Sequence, residues 1–532
     1  MTLLSFRQFE KLKKHREKIS LKRIVSILLH RVVLVSLMLL AQVALIVVMI
    51  VRFSMYFSYF YLGCIIVSLA VAVYIICNRS VSAYKIAWLV PILLVPLFGG
   101  FIYLLLGGYR VGYRKDTRFR TIDRRGQEHL ANVPDARQEL GQTMPHALKT
   151  SDLIRNTSHY PVCQGYSKYY TLGDEAFPDL LEALRGAEHF IFLEYFIIQP
   201  GEMWDAILKI LIEKAEQGVE VRLIYDDFGS MFTLPPHYAR RLQKKGIHCA
   251  VFNPFIPVLS TRLNNRDHRK ILVVDGTVAF TGGYNLADEY INRVDRFGHW
   301  KDSGVRITGD AVRSITVMFL SMWDSITGKQ TDFDAYYVPI SMGGARLEED
   351  APGYLQPYCV HPNDDDHLAE SLLVNLIDRA NRYIYFTTPY LVIDETLTHA
   401  LCRAAKSGVD VRIITPHIPD KKMVFELTRA NYTLLLEAGV RIYEYTPGFM
   451  HSKNVVVDDC YAVVGTINLD YRSLFLHYEC GVLLCGSETV LRVRDDILAT
   501  TRQSEEIEEN SFRPGPLKRL YRALLRVLAP LL

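Results

Sequence analysis

The feature that most limits what this chain can fold into is a pattern that occurs twice. His268-Arg-Lys270-Ile-Leu-Val-Val-Asp275 and His451-Ser-Lys453-Asn-Val-Val-Val-Asp458 share the spacing His-x-Lys-x4-Asp. Glycine and asparagine follow each copy, in Gly282-Gly283-Tyr284-Asn285 and in Gly465-Thr466-Ile467-Asn468. The elements around them repeat as well. Residues 189–196 match 383–386, helical stretches ending at Gly218 and Gly408 lead into apolar runs at 219–225 and 409–414, and 246–254 match 439–447. Short β-rich runs alternating with amphipathic helices predict an α/β fold. A repeat of this length predicts two similar halves, which can face each other so that one site receives one copy of each motif.

On a strand, residues i and i+2 point to the same face. Each motif therefore presents an imidazole beside an ammonium, while Ile271, Val273, Val455 and Val457 fall among packed positions. This combination suits displacement at a phosphodiester. Two lysines can hold the non-bridging oxygens and balance charge in the transition state. One neutral histidine can attack phosphorus to give a phosphohistidine. The other can protonate the leaving alkoxide and deprotonate the incoming hydroxyl, help worth about 10²–10⁴ in rate. Asn285 and Asn468 could donate amide hydrogens to the same phosphate. A single His-x-Lys pair arises on strands by chance; two copies at equivalent places in a repeat point to catalysis.

From about residue 160 to the C-terminus the chain resembles the phospholipase D superfamily, whose signature is this duplicated motif. The resemblance implies an active-site set of His268, Lys270, Asp275, His451, Lys453 and Asp458, in which the two aspartates could instead fix a strand or loop. It also implies acidic residues further on that orient the imidazoles, for which Asp302 and Glu479 are the candidates. Which histidine attacks stays open. Local runs are similar to bacterial cardiolipin synthases: Asn264-Asn-Arg-Asp-His-Arg-Lys-Ile271, Thr281-Gly-Gly-Tyr-Asn-Leu-Ala-Asp-Glu-Tyr290, Trp300-Lys-Asp302, Asn468-Leu-Asp-Tyr-Arg-Ser473 and Leu528-Ala-Pro-Leu-Leu532. Ala87-Trp88-Leu89, Pro96, Gly99, Gly100 and Tyr103-Leu-Leu-Leu-Gly107 resemble their membrane-proximal segment. His477 departs from that pattern, where asparagine is expected. The resemblance implies phosphatidyl transfer between two phosphatidylglycerols, giving cardiolipin and glycerol without a cofactor. The alternative is a membrane-bound phospholipase D that releases phosphatidic acid; a nuclease or an inactive lipid scaffold is a weaker reading.

Half the residues are apolar, and the excess lies near the N-terminus. The uncharged runs 32–51 and 53–77 are each long enough to cross a hydrocarbon core of about 30 Å, so 32–77 is expected to hold two transmembrane helices. A third run, 86–109, contains Pro91, Pro96, Gly99, Gly100, Gly107 and Gly108; a straight helix should not persist through it, and it is expected to be re-entrant or interfacial. Basic residues before the first run and after the second and third place those flanks, and the catalytic domain, in the cytoplasm of a multi-pass cell-membrane protein.

The expected organisation is a basic segment at 1–31, the membrane segments, a linker at 110–159, phospholipase D-like halves at 160–340 and 341–510, and a basic amphipathic helix at 514–532. In that helix Lys518, Arg519, Arg522 and Arg526 are expected to meet anionic headgroups while Leu520, Leu524 and Leu528 face inward. The net charge of +4 and the lack of a basic–aromatic stretch leave nucleic acid off the list of expected partners. Nine cysteines without a CxxC pair read as buried reduced thiols. Gly328-Lys329 lacks the upstream glycine of a P-loop, and Asp364-Asp-Asp366 beside His367 reads as a solvated loop, so no metal site is expected.

Overall fold

One continuous 15-stranded sheet runs through the catalytic region of the computed structural model. The structure describes residues 57–78, 81–95, 99–107, 113–254, 264–338, 351–362, 364–509 and 515–531, with a few helical positions between 40 and 52. The basic segment 1–31 and most of the first apolar run, 32–51, lie outside the described residues.

The first half contributes β1 (Cys163–Tyr170), β2 (Phe190–Tyr195), β3 (Glu220–Asp226), β4 (His248–Phe252), β5 (Lys270–Val274), β6 (Val278–Gly282) and β7 (Gly304–Gly309). The second contributes β8 (Ala351–Val360), β9 (Tyr383–Thr387), β10 (Asp410–Pro416), β11 (Arg441–Tyr445), β12 (Asn454–Val457), β13 (Tyr461–Gly465), β14 (Glu479–Cys485) and the edge strand β15 (Ser504–Glu506). Outward from the middle, the first half runs β1-β7-β6-β5-β2-β3-β4 and the second β8-β14-β13-β12-β9-β10-β11. Each of the seven strands of the first half thus has a counterpart in the second, which adds only the edge strand β15. The halves join where β1 pairs antiparallel with β8, from Cys163 opposite Leu355 to Ser167 opposite Ala351.

Strands β2 and β5 are buried at every residue, which explains their near-continuous apolar character: both faces of the sheet are covered. Gly218 and Gly408 stand at φ of 93° and 92°, the left-handed turn out of a helix that glycine adopts without strain.

Within the stretch 110–159, expected as a linker, the described residues from 113 onward are mostly helical. They form α4 (Tyr113–Leu130) and two shorter helices, Arg137–Thr143 and Pro145–Ser158. Helix α4 docks on α5 (Ala311–Thr327) through Arg125, 2.5 Å from the fully buried Asp324. Gly126 lies against Ser321 and Val317, where a methyl group would collide.

Ahead of these lie α1 (Phe57–Cys77), α2 (Ser82–Leu94) and α3 (Gly99–Leu106). Among the described residues, no helix is long and apolar enough to cross a membrane. Helix α1 has 21 residues and no charged side chain. Within the third apolar run, α2 continues through Pro91 to Leu94 and α3 begins at Gly99. These fold onto each other: Trp88 meets Tyr103 edge-on at 5.2 Å, and the Tyr84 hydroxyl donates to the Gly107 carbonyl at 2.7 Å. Gly99 and Gly100 allow the approach, since a Cβ on them would strike Ile92 and Ser68.

The C-terminal helix α7 (Pro516–Leu528) reverses the expectation. It packs against α6 (Lys422–Glu437) with Arg522 buried and 3.0 Å from Glu426, which also meets Lys518 at 3.0 Å. Leu517, Leu520 and Leu524 point outward, 83%, 59% and 59% exposed. Arg522 and Leu525 turn toward the body, while Lys518, Arg519 and Arg526 stay exposed. All nine cysteines are unpaired.

Candidate active site

The two motifs are held by backbone hydrogen bonds that cross between the halves. The His268 amide donates to the Tyr478 carbonyl at 2.9 Å, and the Tyr478 amide donates to Arg266 at 2.8 Å. On the other side, the His451 and Ser452 amides donate to the Lys301 carbonyl at 2.7 and 3.1 Å. There the short strands Gly448–Met450 and His299–Lys301 run parallel. Each motif histidine is therefore laced to the other half, one residue away from an acidic side chain.

That lacing creates two crossed pairs. His268 Nδ1 lies 3.0 Å from both oxygens of Glu479, and His451 Nδ1 lies 2.6 Å from Asp302 Oδ2. Both carboxylates are fully buried and held from behind. Thr466 donates its hydroxyl to Glu479 at 2.5 Å, and the Ser303 amide donates to Asp302 at 2.9 Å. Gly283 is needed for this packing, because a methyl group there would overlap Asp302. An ionised carboxylate only accepts, so Nδ1 of each ring carries the hydrogen. This leaves both Nε2 atoms with a free lone pair.

The electrostatics favour neutral imidazoles. Burial, with Lys270, Lys453 and His451 nearby, holds His268 well below the usual histidine range. Burial and Lys453 push His451 down to about 4, although Asp302 pulls the other way. Burial lowers Lys270 to about 7 and Lys453 to about 8. Burial would raise Asp302, but His451 and Lys453 outweigh it and keep the carboxyl below its ordinary value. The crowding of four nitrogen bases around one space makes it receptive to an anion.

Both lysines turn toward their own motif. Lys270 Nζ donates to the His268 carbonyl at 2.5 Å, and Lys453 donates to the His451 carbonyl. Lys270 and Lys453 occur two residues after their histidines as expected, although His268, His451 and Lys453 precede the strands proper.

The motif aspartates lie elsewhere. Asp275, grouped above with the catalytic set, accepts the amides of Glu188, His189 and Phe190 at 2.7 to 2.8 Å at the far end of β5. Asp458 does the same for Asn381, Arg382 and Tyr383 at 2.7 to 2.9 Å. Each, at φ of 51°, clamps the start of the neighbouring strand and so sets the register of the strand behind its histidine. Asn285 is also committed to structure: its carbonyl accepts from Ile197 at 3.0 Å and its amide donates to Tyr290 at 2.7 Å. Asn468 is buried with its Oδ1 unpartnered, and is the asparagine of the pair that keeps polar capacity for a ligand.

Aromatic side chains complete the walls. Phe196 meets His268 edge-on at 5.1 Å; Tyr290, Trp300 and Phe449 stand 5.4, 5.3 and 5.7 Å from His451. Phe196 and Phe449 carry no sequence signal, since their apolar surroundings read as ordinary core. His477, singled out as a departure, lies with its ring 5.7 Å from His268.

A family model described as "Cardiolipin synthase, PLD-like domain" matches residues 180–323 and 373–499, spanning both crossed pairs. The chain belongs to the cardiolipin synthase family of phospholipase D-like proteins. A second model, "Phospholipase_D-nuclease N-terminal", matches residues 66–108. A cardiolipin synthase of Geobacillus sp. (strain WCH70) is 36% identical over 461 residues, covering 86% of this chain and 90% of that protein. One from Staphylococcus aureus (strain Mu50 / ATCC 700699) is 32% identical over 486 residues, covering 89% and 96%. An uncharacterised protein of Streptococcus mutans serotype c is 39% identical over 465 residues, covering 86% and 99%. Among solved structures, a phosphatidylserine synthase of Haemophilus influenzae Rd KW20 aligns with a TM-score of 0.53 at 17% identity, over 72% of this chain and 98% of that one. That likeness extends the cardiolipin synthase family's fold to a second phospholipid enzyme.

Proposed function

We propose that this member of the cardiolipin synthase family is a phosphatidyltransferase that moves a phosphatidyl group from one phosphatidylglycerol to another, releasing glycerol. The observation that carries the reading is the crossed pairing of His268 with Glu479 and His451 with Asp302. It supplies two oriented imidazoles, with Lys270 and Lys453 beside them, for one phosphodiester.

We take His268 as the nucleophile because Asp302 raises the affinity of His451 for a proton and so suits that ring to the acid role. The Nε2 of His268 attacks phosphorus, a P–N bond forms, and the P–O bond to the glycerol headgroup breaks. His451, whose cationic form Asp302 stabilises, gives its proton to the departing glycerol oxygen. The phosphodiester's own negative charge, set against Lys270 and Lys453, favours that protonation on binding. His451 then takes the proton from the terminal hydroxyl of a second phosphatidylglycerol. That oxygen displaces His268 and yields cardiolipin. One phosphodiester replaces another, so no nucleotide is required.

The uncharged run 53–77, within which helix α1 carries no charged side chain, is taken as the second membrane crossing. With the run at 32–51 as the first crossing and the α2–α3 hairpin entering without crossing, the catalytic region lies on the cytoplasmic side. The exposed leucines of α7 suit contact with the same membrane. Protease added outside sealed spheroplasts should leave the catalytic region intact, and cleavage there before lysis would refute this topology.

Purified full-length protein incubated with phosphatidylglycerol alone should give cardiolipin and glycerol in equal amounts, as measured by mass spectrometry of lipids and an enzymatic glycerol assay. Phosphatidic acid in place of cardiolipin would identify a hydrolase that uses the same residues with water as acceptor.

A further inference from the structure

The sequence predicts no metal site, yet folding brings three ligating side chains together. Among the described residues, His268, His477 and Glu479 each direct a ligand atom into one space, with all three atoms within 4.8 Å of one another. His477 is the unexplained member. It is 9% exposed, and neither of its ring nitrogens has a hydrogen-bond partner. Its Nδ1 lies 3.6 Å from Glu479 Oε1, beyond hydrogen-bonding reach. A buried imidazole with both nitrogens unsatisfied is costly unless something else uses it.

We propose that His268, His477 and Glu479 form a binding site for a zinc ion, and that zinc bound at His268 Nδ1 shifts the ring hydrogen to Nε2 and so switches the enzyme off by removing the attacking lone pair. Two imidazoles and a carboxylate are the donor types zinc prefers, whereas magnesium and calcium select oxygen ligands. In a tetrahedral site with bonds of about 2.0–2.1 Å, ligand atoms stand about 3.3 Å apart. The separations from Glu479 to the two histidines, 3.0 and 3.6 Å, bracket that spacing, so small side-chain rotations suffice. Thr466 holds Glu479 through Oε2, the kind of outer contact that fixes a ligand carboxylate, and zinc at Oε1 would take the place of the His268 hydrogen there. The fourth position would face the substrate space, open to water or a phosphodiester oxygen.

The site is one-sided. The residue two before the other acid, Asp302, is Trp300, and its ring stands over His451 as that of His477 stands beside His268. An indole cannot ligate zinc, so only the His268 side can be closed in this way. The inhibition, but not the binding, rests on the reading of His268 as a catalytic group.

The test uses full-length protein in detergent, zinc chloride and no lipid. Equilibrium titration is expected to give one zinc per chain, and X-ray absorption of the loaded protein two imidazole nitrogens in the first shell. His477→Asn should weaken binding at least about tenfold, by analogy with the loss caused by removing lesser contacts at metal sites. In a transfer assay, zinc should inhibit the wild type reversibly on adding chelator. Each protein is scaled to its own zinc-free rate, and His477→Asn should need at least about ten times more zinc for the same inhibition. A zinc shell without imidazole, or equal affinity in the variant, would overturn the site. If zinc binds as described but phosphatidylglycerol is not converted, the site stands and the proposed reaction falls.

Discussion

Alanine at His268 or at His451 is expected to lower phosphatidyl transfer by at least about 10³-fold, because groups that act as one unit are each indispensable. The two losses should differ in kind. With phosphatidylglycerol labelled at phosphorus, His451→Ala should still form some phosphoenzyme and release it slowly, since its nucleophile is intact. His268→Ala should form none. Acid-labile, base-stable label on the chain, followed by rapid quench and gel analysis, distinguishes the cases. Phosphoenzyme in His268→Ala but not in His451→Ala would exchange the two roles while leaving the chemistry in place. Normal turnover in either variant would remove the paired-histidine mechanism altogether.

The second large effect is expected at a residue that never touches the phosphate. Asp302 lies 2.6 Å from His451, and replacing it with asparagine should cost about 10²–10⁴ in kcat, the range seen when an orienting carboxylate is neutralised. The sign of the accompanying pH effect follows from the electrostatics. Asp302 raises the affinity of His451 for its proton. Without that charge the proton is lost at lower pH, so the alkaline limb of the kcat profile should move toward acid in Asp302→Asn. A role in fold stability alone would lower the amount of active enzyme and leave the limb where it was. An unmoved limb would therefore reduce Asp302 to a packing residue.

The repeat, the two motifs and the α/β character are legible in the chain because they rest on local spacing and periodicity. The pairing of each histidine with its acid is not. Asp302 and Glu479 can be selected as acidic residues downstream of the motifs, but proximity in sequence would give Asp302 to His268. Only the exchange of backbone hydrogen bonds at Lys301 and Tyr478 reverses that choice. Asn285 looks available for a phosphate until Tyr290, five residues on, takes its amide. The orientation of α7 is not legible for a related reason: periodicity reveals an apolar stripe, whereas the pairing of Arg522 with Glu426 and the seating of Leu525 beside Leu427 set which positions turn inward. The helices between 113 and 158 are hard to read in the sequence because only a thin set of apolar positions, among them Phe119, Leu130, Leu140, Ala147 and Ile154, enters the core, beside polar contacts such as Arg125 with Asp324.

The crossed pairs also bear on how the protein is made. A ribosome delivers His268 long before Glu479, 211 positions later, and Asp302 long before His451, 149 positions later. Throughout that interval the N-terminal segments are available to the membrane, so a growing chain could already sit among its substrates. His268 has no carboxylate until the closing strand β14 enters the sheet, and the His451–Asp302 pair is absent until residue 451 is made. An unfinished chain is thus chemically silent toward the lipids around it, and truncation anywhere before residue 479 leaves a harmless fragment rather than an unregulated lipase.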